Sequence, residues 1–167
     1  MRFLAIALPI IVLSSLAFAG DGPDLTTCTS CTDIEDALTI SSNWQLISGD
    51  TTGLTNGEYA YEFCAVGGST YEFTFCHDGG TASYDTDLSI WLEAGGVCGP
   101  NPEICNDDTC GLQSELVWVC PASGQYVLRV AGFGSSQGAY TLAYRGDPCS
   151  VPVEPTTWGL IKAVYED

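Results

Sequence analysis

Residues 59–76 read Tyr59-Ala60-Tyr61-Glu62-Phe63-Cys64-Ala65-Val66-Gly67-Gly68-Ser69-Thr70-Tyr71-Glu72-Phe73-Thr74-Phe75-Cys76. Tyr59, Tyr61 and Phe63 alternate with Ala60, Glu62 and Cys64. After Gly67-Gly68, Tyr71, Phe73 and Phe75 alternate with Glu72, Thr74 and Cys76. A period of two places each set on one face of a strand, and a Gly-Gly pair supplies a tight turn. The stretch predicts a β-hairpin with an aromatic face. Alternating aromatics suit a pleated, half-buried surface. Tyr59, Tyr61, Tyr71, Trp91, Trp118, Tyr126 and Phe133 are therefore read as core, ahead of an exposed sugar- or peptide-binding platform.

Further strand-like runs follow at residues 88–92, 116–119, 126–130 and 139–144, with a short extended piece at 103–105. Gly-rich turns separate them at 95–102, 123–124 and 132–138. Residues 33–38 suit one helical turn, with Thr32 and Glu35 as a weak capping box. Short strands at regular spacing predict an all-β fold, an antiparallel β-sandwich. Residues 61–68 and 117–124 echo each other as strand, Cys, turn, strand. The echo suggests a Cys64–Cys120 bridge between matching corners, although spacing alone leaves connectivity open.

Met1-Arg2 followed by an apolar run to Leu16 and by Ala17-Phe18-Ala19 fits a signal peptide over residues 1–19. No Cys follows the cleavage point, so a lipid anchor is not indicated, and no other segment is long and apolar enough to span a bilayer. A secreted chain, extracellular or at the cell surface, is expected. Its domain layout is an irregular leader over 20–32, one sandwich over 33–146, and a spacer with a short tail over 147–167. Without Arg2, three basic residues face 21 acidic ones. Such a surface repels nucleic acid and anionic membranes and is compatible with cation binding.

All nine cysteines, Cys28, Cys31, Cys64, Cys76, Cys98, Cys105, Cys110, Cys120 and Cys149, follow the expected signal peptide. In an exported protein they read as a disulfide framework, and an odd number leaves at least one free or paired with another chain. Cys28-Thr29-Ser30-Cys31 lacks the His of a c-type haem site, since Thr32 follows. A thioredoxin-like redox pair belongs in an α/β pattern, which is absent here.

Asp85 and Asp87 stand at the start of the run 88–92, and Asn106, Asp107 and Asp108 follow 103–105. If those segments pair antiparallel, the five residues converge at one end of the sandwich. Carboxylate and amide oxygens suit calcium, which takes six or more, with backbone or water completing the shell. The same residues also suit turns, bonding their own backbone. The spacing is not that of an EF-hand.

The catalytic inventory is thin. A Ser-His-Asp triad would have to run through His77, the single histidine, which lies beside Asp78 in a turn before Gly79-Gly80. No His cluster suits catalytic zinc, no phosphate loop occurs, and carboxylate pairs are unspecific in so acidic a chain. A non-enzyme is expected.

Residues 57–63, then Ser83-Tyr84-Asp85-Thr86-Asp87-Leu88, then Cys105-Asn106-Asp107-Asp108 with Cys110-Gly111-Leu112-Gln113-Ser114, then residues 123–133 and Gly138-Ala139-Tyr140-Thr141-Leu142 together resemble the bacterial pre-peptidase C-terminal domain, in its Cys-rich version. The resemblance spans residues 33–146. It implies a jelly-roll β-sandwich and a non-catalytic appendage of exported enzymes. Some related domains bind calcium and some bind insoluble polymers such as collagen, which would place an ion at Asp85/Asp87 and Asn106–Asp108. The family usually follows a peptidase domain, whereas this leader runs almost directly into the module. A module acting alone, through an extracellular protein or polysaccharide, or by self-assembly into a fibre or surface layer is expected.

After the spacer Val151-Pro152-Val153-Glu154-Pro155, Trp158, Ile161 and Tyr165 fall at helical spacing. The tail resembles a Trp-Gly-x-Ile-Lys ending of some exported bacterial proteins. It reads as a sorting or docking peptide, or as a short helix packed on the domain.

Overall fold

A computed structural model describes residue 31 and residues 34–149. The expected signal peptide and its cleavage point, Cys28 and the tail from Ser150 lie outside the described residues. Among the described residues, ten strands form two sheets: β1 (Asp36–Ala37), β2 (Gln45–Asp50), β3 (Tyr59–Ala65), β4 (Thr70–Thr74), β5 (Thr81–Ala82), β6 (Thr86–Glu93), β7 (Cys98–Asn106), β8 (Glu115–Val119), β9 (Gly124–Gly132) and β10 (Ala139–Arg145). The order is β1-β3-β9-β6-β7 in one sheet and β2-β10-β4-β8 in the other, with β5 paired to β10. Leaving aside the two-residue strands, the first, eighth, third and sixth strands face the second, seventh, fourth and fifth. That interleaving is the jelly roll. All neighbouring strands run antiparallel except β1, which is parallel to β3.

The core lies between the sheets. Tyr61, Phe63, Tyr126, Leu128, Val130, Leu88 and Ile90 from one meet Tyr71, Phe73, Leu116, Trp118, Tyr140 and Leu142 from the other. Phe63 crosses the interface, its ring 5.3 Å from Phe73 and 6.3 Å from Trp118, centroid to centroid. Burying each such side chain is worth about 1.5–3 kcal/mol. Of the seven aromatics read as core, Tyr61, Tyr71, Trp118 and Tyr126 lie here, Trp91 is buried in a second cluster, Tyr59 is half-buried, and Phe133 is 47% exposed.

The expected hairpin over residues 59–76 is not one. β3 and β4 lie in different sheets, and their aromatic faces look at each other across the core. Alternation fixes which side chains share a face; it does not distinguish side-by-side strands from stacked ones. The reason for the crossing is in the corners. Gly68, at φ 84°, donates its N–H to the Cys120 carbonyl at 2.8 Å, and Cys120 N–H donates to the Ser69 carbonyl at 2.9 Å. Gly67 N–H donates to Ser123 Oγ at 2.9 Å. The internal echo thus marks two sheet-crossing corners, β3 to β4 and β8 to β9, that hold one another.

The helical turn expected over 33–38 is also replaced. Asp36–Ala37 is extended along β3, with Glu35 N–H on the Ala60 carbonyl and Leu38 N–H on the Glu62 carbonyl. The edge of β3 offers backbone partners that a single isolated turn lacks. Most of the expected loop at 95–102 belongs to β7, whose register shifts against β6 absorb Pro100 and Pro102; prolines are tolerated on such an edge strand.

The disulfides are Cys31–Cys98, Cys64–Cys149 and Cys76–Cys110, and Cys105 is disulfide-bonded as well. Loops of 34 to 85 residues are closed, each worth on the order of 4 kcal/mol if the gain is chain entropy. The suggested Cys64–Cys120 bridge does not exist. Cys64 alternates with the inward Phe63 and Ala65 and so faces outward, whereas Cys120 is buried in the core and free. Cys31 pairs with Cys98, which removes the Cys-x-x-Cys redox pairing.

Candidate cation site and a buried ion network

β6 and β7 pair antiparallel, with Leu88 opposite Asn106 and Ile90 opposite Ile104. The start of β6 therefore meets the end of β7. Asp85, Asp107 and Asp108 each offer a carboxylate oxygen there, all within 4.8 Å of one another. Two oxygens bound to one calcium at 2.3–2.6 Å lie at most about 5 Å apart, so this spacing fits a shared ion. Asp85 Oδ1 is buried and accepts no hydrogen bond. Burial pushes the Asp85 carboxyl above the ordinary aspartate value, and the charge of Asp108 adds to the effect.

The loops that carry these groups are pinned. Ser114 is fully buried; its N–H donates to Thr86 Oγ1 at 2.8 Å, and its hydroxyl lies 2.5 Å from both the Thr86 and the Asp107 carbonyls. Leu112 carbonyl accepts from Thr86 N–H at 3.0 Å, and Asp85 carbonyl accepts from Phe133 N–H at 3.1 Å. Cys76–Cys110 ties the turn at 109–113 to the end of β4. Gly111, at φ 76°, lets that turn close, with Thr109 and Cys110 N–H both on the Gln113 carbonyl.

The other two sequence candidates, Asn106 and Asp87, make hydrogen bonds of their own. Asn106 Oδ1 accepts from Thr109 Oγ1 at 2.7 Å and from Glu115 N–H at 3.1 Å, which shapes the turn. Asp87 alternates with the inward Leu88 and faces the outer side of its sheet, where Arg129 Nη1 donates to its Oδ2 at 3.1 Å. Arg129 Nε also donates to Glu58 Oε2 at 2.6 Å. All three are buried, at 5%, 2% and 1% exposure for Arg129, Glu58 and Asp87. Burial pushes the Asp87 carboxyl up, and the guanidinium pulls it back toward the charged form. Beside the network, Trp91 Nε1 donates to Ser89 Oγ at 2.9 Å, and Trp91, Val127, Ala60 and Cys105 pack with Cys31, Ile34 and Cys98. The outer face of this sheet is thus a second, smaller interior. A signal for it stands in the sequence: one arginine inside the apolar strand Val127-Leu128-Arg129-Val130.

No family model matches the chain, and no curated protein matches its sequence at a significant level. Among solved structures, the chain is similar to the pre-peptidase C-terminal domain of a collagenase from Bacillus anthracis, at 15% identity over 67% of this chain and 96% of that one, with a TM-score of 0.49. It is also similar to PliG, a periplasmic lysozyme inhibitor of g-type lysozyme, from Aeromonas hydrophila (19% identity, 68% and 100% covered, TM-score 0.47) and from Salmonella Typhimurium (17%, 68% and 99%, TM-score 0.42). At these identities and scores the likenesses carry no function to this chain.

Proposed function

We propose that the chain is an exported, non-catalytic β-sandwich that binds a protein or polysaccharide outside the cytoplasm, steadied at one end by calcium. The observation that carries the calcium reading is the meeting of Asp85, Asp107 and Asp108 on loops pinned by Ser114 and the Cys76–Cys110 bridge. Three carboxylates supply part of an ion's oxygen shell, and backbone carbonyls with water complete it. A divalent cation would also offset the burial and the Asp108 repulsion that raise the Asp85 carboxyl. Several disulfides support an oxidising compartment. For the alternative, a fibre or surface-layer subunit linked through the odd cysteine or the tail, burial of Cys120 speaks against the cysteine link, and the tail lies outside the described residues.

The test is thermal melting with calcium or with chelator. Calcium at 100 times its dissociation constant should add about 2.7 kcal/mol, read as a raised midpoint. Asp85→Asn should abolish the rise, and Glu72→Gln on the other sheet should preserve it. Equal midpoints with calcium and chelator would remove calcium from the account. Capture of partners by the native secreted protein, followed by mass spectrometry, then identifies what the module binds.

A further inference from the structure

The single histidine occupies a position that the proposed function does not use. His77 lies in the turn between β4 and β5, where Gly80 N–H donates to its carbonyl at 2.8 Å. Its Nε2 is 2.8 Å from Glu115 Oε1 on β8, and its Nδ1 is 2.6 Å from Asp78 Oδ2 in its own turn. The Trp44 ring stands edge-on at 5.6 Å. Arg145 of β10 stacks on the same indole at 4.5 Å and is held by Glu72 of β4.

A neutral imidazole has one N–H and can donate to one carboxylate only. Here both ring nitrogens are within hydrogen-bond distance of a carboxylate, so the arrangement is that of the imidazolium. Once the proton is lost, one nitrogen presents a lone pair to a carboxylate and that contact becomes repulsive. We propose that His77 is a pH-operated latch, which when protonated fastens the turn at 76–80 to the edge strand β8 and when neutral lets it go. The turn is anchored on its other side by the Cys76–Cys110 bridge, so release is confined to residues 77–80. The latch is independent of the calcium reading.

The hydrogen bonds to Glu115 and then to Asp78 hold His77 above the ordinary histidine value of 6.5. A histidine so raised in the folded state contributes stability in full below the unfolded value, and loses it as pH rises through the folded one. The ring is 45% exposed, so water screens the gain and the effect is local.

The test is an NMR titration of the His77 ring in the full chain, with exchange of the Gly80 amide followed alongside. The ring should titrate above 6.5, and Glu115→Gln and Asp78→Asn should each lower its midpoint. Gly80 exchange, corrected for intrinsic rate, should accelerate as pH passes that midpoint. In His77→Gln it should already be fast and pH-independent. A ring midpoint at or below 6.5 overturns the proposal, and so does a Gly80 profile that His77→Gln leaves unchanged.

Discussion

The outer faces of the two sheets carry the same chemistry in opposite settings. On the β3–β9–β6 face, Arg129 holds Glu58 and Asp87 with hardly any water contact. On the β10–β4 face, Arg145 holds Glu72 at 2.6 Å, but their side chains are 41% and 22% exposed. Distances alone do not separate the pairs, whereas solvent does. An exposed pair is worth about 0–1 kcal/mol, since water screens it and both side chains lose rotamer freedom. Removing one partner of a buried pair costs about 3–5 kcal/mol, because the charge left behind has lost its water. One face is therefore interior and the other is surface.

The largest expected effect follows from breaking the buried network. Arg129→Met should cost about 3–5 kcal/mol in urea denaturation at neutral pH, since Glu58 and Asp87 remain buried without their cation. Next comes the bridge over the same face. Cys31→Ser, which opens the Cys31–Cys98 loop, should cost about 2–5 kcal/mol in the same measurement. It should also raise quenching of Trp91 fluorescence by iodide, as its cover loosens; unaltered quenching would show that other groups seal the face. Smallest is Arg145→Met, at no more than about 1 kcal/mol, part of it from lost stacking on Trp44.

Sequence patterning shows a strand well where one face is apolar and the other polar, as in β4, where buried Tyr71 and Phe73 alternate with Thr70 and Glu72. It misses β2, where Leu46 is exposed and Ile47 only half-buried, so that no clean alternation marks the inner face. It misjudges the β3–β4 connection, because partner choice is decided by a corner distant in sequence, where Cys120 and Ser123 receive Gly68 and Gly67. At the acidic end, the approach of Asp85 to residues 107–108 was legible from the assumed pairing of β6 with β7. The departure of Asp87 was not. Its partner Arg129 lies on a strand distant in the chain.

The difference between the faces is tested most directly by comparing Arg129→Met with Arg145→Met in chemical denaturation from pH 4 to pH 8. Loss of Arg129 removes the charge that favours ionised Asp87, while burial and the nearby Glu58 charge still disfavour it, so that carboxyl rises further. A carboxyl raised in the folded state binds protons more readily there than in the unfolded chain, so its cost falls as pH falls. The account predicts a large Arg129→Met deficit at pH 8 that shrinks toward pH 4, beside a small deficit for Arg145→Met throughout. Deficits of similar size for both variants at every pH would contradict it.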